Sequence, residues 1–191
     1  MAIRKVARLG HPVLRQVGRP LRPEEFGSEE LIRLIEDMKD TMKEYGGIGL
    51  AAPQIHESLQ LAIIGFSEES ARYPKMGHMP LTVIINPTVT VLDEETQGFW
   101  EGCLSVPGLR GLVFRPRKIR VDFQDETGDA RELVAEDFLA TVFQHELDHL
   151  AGVVYVDRIE GGPGERQFAF QEEYERYLVP EKEDDIRELT D

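Results

Sequence analysis

Apolar positions along this chain fall into two rhythms. From residue 28 to residue 45, Leu31, Leu34, Ile35, Met38, Met42 and Tyr45 recur every three or four places, the period of one helical face. Ser28 suits an N-cap, Glu29 and Glu30 complement the positive helix start, and Gly46-Gly47 stops the run. A second stripe, Phe138, Thr141, Val142, His145 and His149, predicts a helix from about Glu136 to Ala151, ended by Gly152. Residues 165–178 also read as helical, with Phe168, Tyr174 and Leu178 on the apolar side. Elsewhere the pattern is that of strands. Residues 60–66 form an apolar run. Leu81 to Ile85 and Thr88 to Leu92 are two strands broken by Asn86-Pro87, and Asp93-Glu94-Glu95 marks a turn. Ile119 to Phe123 alternates, Asp125 to Gly128 reads as a hairpin turn, and Arg131 to Ala135 as its return. Val153 to Val156 can make one more strand. Gly10-His11-Pro12, Pro20 and Pro23 make residues 1–27 loop-like, with His11 a turn residue. Residues 67–80 are a loop with His78 exposed, and Gly161 to Gly164 is a break.

With 191 residues, no internal repeat and 41% apolar content, the chain suits one domain with a sizeable core. Its net charge of −14 argues against a broad nucleic-acid face or an anionic membrane surface. No stretch approaches the ~18 apolar residues of a membrane span. Met1 to Gly10 carries positive charge without the apolar run of a signal peptide. A single cysteine, Cys103, excludes a disulfide within the chain and suits a reducing compartment. These features point to the cytoplasm. Six acidic and two basic residues between Glu181 and Asp191 predict a solvated tail.

The chemistry concentrates in Gln144-His145-Glu146-Leu147-Asp148-His149. Two histidines one helical turn apart can reach one metal ion, and Glu146 is placed to pass protons for a water on it. The bland alternative is a helix with two surface histidines. Cys103 is either a small buried side chain or the soft third ligand. On residue types alone, a thiolate with two imidazoles makes a tetrahedral site open to several late first-row metals. Gly47-Ile48-Gly49-Leu50-Ala51-Ala52-Pro53-Gln54 reads on its own as a tight turn into a buried strand. Its functional reading is a backbone ledge for an extended peptide. The basic run Arg110, Arg115, Arg117, Lys118 and Arg120 reads as outward strand positions.

Together, Gly47 to Gln54, Glu101 to Ser105 and Gln144 to His149 resemble the three motifs of the peptide deformylases, in order and at family-like spacing. Gly10 to Arg15 and Pro107 to Gly111 add to the likeness, which covers about residues 1–160. The resemblance implies an α+β fold, with largely antiparallel sheets around a central metal-binding helix. It implies one catalytic domain over residues 1–191, with 181–191 as a flexible tail. It implies Cys103, His145 and His149 as ligands with a water in the fourth place. Fe2+ would be the usual ion, with Zn2+, Ni2+ or Co2+ able to substitute. The implied reaction is removal of the formyl group from N-formyl-methionyl nascent polypeptides. Glu146 would act as general base and acid, and the Gln54 amide and the Leu104 backbone N–H as oxyanion donors. Ile48, Phe138 and Val142 would wall the methionine pocket, and Gly47 and Gly49 would pair with the peptide backbone. Arg110 would contact the downstream peptide or be structural. Glu101 would anchor the cysteine loop. Asp148 would anchor the helix or a neighbouring strand, or make a plain salt bridge.

Two departures stand out. The acidic tail does not suit docking on an RNA-rich ribosome, so ribosome contact would be transient. Asp137 stands where many family members carry glycine, and is read here as an ordinary helix-start residue. Two rivals remain. A zinc peptidase on the same His-Glu-x-x-His pattern of the metzincin kind needs a third histidine where Tyr155 stands, or a carboxylate such as Glu165 or Glu172. A binding module with a closed structural site needs a fourth ligand, and His11, His56 and His78 are poorly spaced for it.

Overall fold

The computed structural model describes residues 2–66, 78–160 and 167–178. Helix α1 (Glu29–Glu44) forms where the apolar stripe predicts it, and Ser28 Oγ accepts the Leu31 N–H at 3.2 Å. Leu31, Ile35, Met38 and Met42 are buried against Leu50, Ile55, Leu61, Ile63, Val83 and Ile85. Each such side chain contributes roughly 1.5–3 kcal/mol by leaving water. Tyr45 is the exception to the stripe: it caps the helix at its C-terminal end and is exposed. Before α1 the chain runs as loop with two 3-10 turns. His11 Nδ1 accepts the Val13 N–H at the first of them, as a turn residue does.

Among the described residues, six strands make one sheet in the order β1-β2-β3-β4-β5, with β6 on β4. They are β1 (Gly49–Ala51), β2 (Leu61–Phe66), β3 (Met79–Cys103), β4 (Val106–Gln124), β5 (Ala130–Glu136) and β6 (Phe168–Phe170). Every strand pair is antiparallel, which with the helices gives the expected α+β class. Two expected interruptions of β3 are absorbed instead. Asn86, at φ 51, sits in a register shift between Ile85 and Thr88, and its side chain bonds Leu21 N–H, Leu21 C=O and Gln124. Asp93 to Glu95 forms further bulges where a turn was expected, because pairing with β4 continues at Asp93↔Lys118 and Thr96↔Pro116. The hairpin after β4 forms as read, with Asp125 accepting from Thr127 and Asp129 N–H groups and from Arg131.

Helix α2 (Asp137–Leu150) packs Ala140, Val142, Phe143, Leu147 and Leu150 onto Ala62, Ile64, Ile84, Ile119, Val121 and Ala135. The start of α2 corrects one reading. Its N-cap is Glu136, with no side-chain cap, and Asp137 sits at φ 52. A side chain in that left-handed region costs about 1 kcal/mol, which is why glycine suits the position. Asp137 also pairs with Arg117 Nε at 2.7 Å.

Two further expectations are corrected beyond α2. Val153 to Val156 adds no strand. Val154 and Tyr155 are buried through their side chains, and the backbone turns into a 3-10 segment at Tyr155–Asp157. The expected helix over 165–178 begins as β6 and turns helical only at Gln171, leaving Phe168 and Leu178 exposed. His78 is exposed as expected. The glycine break at 161–164, Glu165, most of the 67–80 loop and the 181–191 tail lie outside the described residues.

Candidate metal centre and cleft

Three elements meet at one point. Strand β3 carries Cys103 at its last residue, opposite Val106 of β4, and α2 carries His145 and His149 one turn apart. One donor atom from each of the three lies within 4.8 Å of the others. Cys103 Sγ stands 3.3 Å from His149 Nε2, and the two imidazoles meet edge to face at 5.3 Å. Metal–ligand bonds of about 2.0–2.3 Å in a tetrahedron leave edges of roughly 3.5 Å, so this donor set fits such an ion. Burial works against a charged thiolate, but His149 and His145 outweigh it and hold the Cys103 thiol well below its ordinary value.

Behind the histidines runs a chain of ion pairs. His145 Nδ1–H donates to Glu101 Oε2 at 2.6 Å, which leaves Nε2 for the cluster. Arg115 grips both oxygens of Glu101, at 2.6 and 3.0 Å, and reaches Asp148 at 2.8 Å. Arg158 closes the chain on Asp148 at 2.7 and 3.1 Å. Burial opposes the charge on Glu101, yet His145 and Arg115 hold it below the usual carboxylate range. Arg115 is buried, unlike its exposed neighbour Arg117, so it departs from the outward reading of the basic run. Glu101, two residues before Cys103, thus ties the cysteine segment to His145 of α2 and Arg115 of β4, and Asp148 ties α2 to β4 by salt bridges.

In front of the histidines lies Glu146. It is buried, its Oε2 has no hydrogen-bond partner, and burial pushes its carboxyl up to about 7. The carboxylate presses on β1: a Cβ at Gly49 would stand 2.5 Å from Glu146 Oε1. This close approach is what the glycine there permits.

The polypeptide deformylase family profile matches residues 3–162. The chain belongs to the peptide deformylase family. A peptide deformylase of Leptospira biflexa serovar Patoc is 44% identical over 160 residues, covering 84% of this chain and 89% of its own. Peptide deformylase 2 of Pseudomonas syringae pv. tomato is 48% identical over 157 residues, covering 82% and 87%. The class I type b peptide deformylase of Acinetobacter baumannii, solved with Met-Ala-Ser bound, superposes with a TM-score of 0.79 at 35% identity, covering 83% of this chain and 99% of that one.

The other residues singled out in the sequence line two spaces, which share Ile48, Gly102, His145 and Glu146. A cleft of about 310 Å³ is lined by Gly47, Ile48, Gly49, Gln54, Leu104, Arg110, His145 and Glu146, among others. A smaller pocket of about 50 Å³ opens between Ile48, Trp100, Phe138, Thr141, Val142 and Glu146. Gln54 accepts the Ala51 N–H at 2.8 Å, and its amide nitrogen points at Cys103 Sγ (3.4 Å) and Ser105 Oγ (3.3 Å). Arg110 is buried and lies across Gly102, where a Cβ would meet its guanidinium at 2.9 Å.

Several neighbours escaped the sequence reading. Ser105 is fully buried and its N–H donates to Cys103 Sγ at 3.4 Å. The N-terminal strap bonds both halves of the site: Ala7 N–H donates to Gln54 C=O at 2.7 Å and Leu9 N–H to Ser105 C=O at 2.8 Å. Tyr155, standing where the peptidase rival needs a histidine, stacks 5.9 Å from His145 and donates its hydroxyl to Leu109 C=O at 3.0 Å. Glu172 is exposed, and the metal-ligand grouping among the described residues contains no fourth member. The peptidase and closed-site rivals are not favoured.

Proposed function

We propose that this chain removes the N-formyl group from the terminal methionine of newly made polypeptides, releasing formate. One observation carries the reading: a buried Glu146, whose Oε2 has no hydrogen-bond partner, stands between a Cys103–His145–His149 donor set and a side-chain pocket. A bound metal ion would supply Lewis acidity, polarising the formyl carbonyl and acidifying the attacking water. Cys103, His145 and His149 would hold it, and Glu101 would fix the tautomer of His145. From the resemblance to the family we assign Fe2+ as the physiological ion, with Zn2+, Ni2+ or Co2+ as substitutes; the sulfur and imidazole donors by themselves admit any of them.

The remaining steps belong to the chain's own groups. Gly47 and Gly49 pair with the backbone of an extended peptide. Ile48, Phe138 and Val142, joined by Trp100 and Thr141, take the methionine side chain. Glu146 removes a proton from the attacking water and delivers it to the amine nitrogen as the C–N bond breaks. The Gln54 amide and the Leu104 N–H stabilise the oxyanion that forms between those events. The relative that binds Met-Ala-Ser supports this substrate class, because that peptide has the form of a deformylated product. The same reading makes residues 1–191 one catalytic domain with an acidic tail. It acts in the cytoplasm on emerging chains and touches ribosomes only in passing.

The test is formate release from an N-formyl-methionyl peptide by protein prepared without oxygen in the presence of Fe2+, beside Glu146→Ala. Release that disappears in the variant is expected. Internal cleavage of unformylated peptides without formate would overturn the reading in favour of a peptidase.

A further inference from the structure

The family match ends at residue 162, yet the chain returns to the cleft beyond it. Strand β6 pairs with Leu109, Arg110 and Gly111 of β4, and Leu112 N–H donates to Gln167 C=O at 3.1 Å. This pairing delivers Gln171 to the cleft wall. Gln171 Oε1 accepts from Arg110 Nε at 2.6 Å, while its Nε2 donates to Glu175, which orients the amide oxygen towards Arg110. The Arg110 guanidinium carbon stands 5.4 Å from the centre of the Tyr174 ring. Tyr174 in turn leans on Trp100 at 5.5 Å, and Trp100 lines the smaller pocket.

We infer that Gln171 and Tyr174 are positioning residues for substrate. They clamp Arg110 at the cleft so that it binds carbonyl oxygens of the second and third residues of the formylated peptide. The inference rests on the deformylase reading above. Arginine has five N–H donors and no acceptor. With Nε committed to Gln171 and the guanidinium set against the Tyr174 ring, the donors on the two Nη atoms remain for a ligand. An unclamped arginine carries about 2 kcal/mol of side-chain entropy that each binding event would have to overcome, and the clamp removes much of it in advance. Backbone carbonyls carry no side-chain identity, so the clamp registers peptide length rather than sequence. The segment 168–178, outside the family match, thus becomes one wall of the peptide site.

The experiment compares N-formyl-methionine amide, which stops at the first residue, with N-formyl-Met-Ala-Ser amide, using the full-length metal-loaded enzyme. Gln171→Ala is expected to raise KM for the longer substrate about five- to tenfold, a part of the side-chain entropy that the clamp removes in advance. Its kcat, and both constants for the short substrate, should stay within about twofold. The exchange of Gln171→Glu with Glu175→Gln keeps both the acceptor for Arg110 and a donor between the two side chains, and should restore the longer substrate's KM. Tyr174→Leu should act in the same direction as Gln171→Ala, and decides the matter if that variant folds poorly. Equal shifts for the two substrates, or none for either, overturn the clamp. No formate from either substrate with the unmodified enzyme would instead remove the deformylase reading.

Discussion

Two glutamates lie on either side of His145, Glu101 of β3 in the ionic wall behind it and Glu146 of α2 in the cleft before it. Each is 6% exposed, so burial alone cannot distinguish them. Glu101 has Arg115 and His145 against it and stays below the usual carboxylate range. Glu146 has no hydrogen-bond partner on Oε2, and burial carries it up to about 7. Opposite charge at contact distance decides the protonation state of a buried carboxylate, and its absence leaves desolvation in control. The meeting of β3 and α2 thus sets a fixed anion on one side of His145 and a proton carrier on the other.

The largest expected effect comes from the cleft side. Glu146→Gln should lower kcat by about 10²- to 10⁴-fold, the range of general acid–base catalysis, while thermal unfolding stays at or above that of the parent. A fall in stability comparable to the loss of activity would mean that Glu146 is structural. Arg115→Met breaks the wall, leaving Glu101 with His145 alone and Asp148 with Arg158 alone. Denaturant unfolding should show a loss of about 3–5 kcal/mol. A loss under about 1 kcal/mol would mean that water reaches Glu101 and that the contrast with Glu146 is overstated. Glu101→Gln keeps the shape and removes the charge. Metal affinity, followed by chelator competition, should fall about 10- to 100-fold, with a smaller change in stability.

The smallest effect uses a third carboxylate, outside the site. Asp125 is held at about 2, chiefly by the Thr127 hydroxyl, with Arg131 and the Thr127 and Asp129 N–H groups adding to it. Its folded value lies below the ordinary 3.8, so its contribution is complete above that pH and is lost as pH falls through about 2. Asp125→Asn should therefore cost about 1 kcal/mol at pH 7, a modest figure because the turn stands partly in water. The two proteins should converge in stability near pH 2. A gap that persists there would show that shape, and not charge, makes the difference.

Much of the site was legible because helical spacing is local. Phe138, Val142, His145 and His149 could be placed on one face from the sequence alone, and the first three of them share a pocket wall in the structure. The Cys103 segment was legible through its likeness to a family. What escaped depends on strand register. Arg115 looks like any member of an alternating basic run until the register of β3 and β4 sets it opposite Gln97, from where its guanidinium reaches along the strand to Glu101. Asp137 could be noticed as a departure, but the backbone angle that gives the departure its meaning is a tertiary property. Tyr155 and Gln171 reach the site from segments whose apolar patterns suggested a strand and a plain helix.

The N-terminal strap couples the site to the order in which the chain is synthesised. Ala7 and Leu9 emerge first, yet their partners Gln54 and Ser105 follow only after roughly 45 and 95 further residues. His149 comes later still. At about 5–20 residues per second, the opening segment waits roughly ten to thirty seconds before the last metal ligand exists. A deformylase of this design is therefore assembled late and from both directions, and no half-made chain carries a working centre.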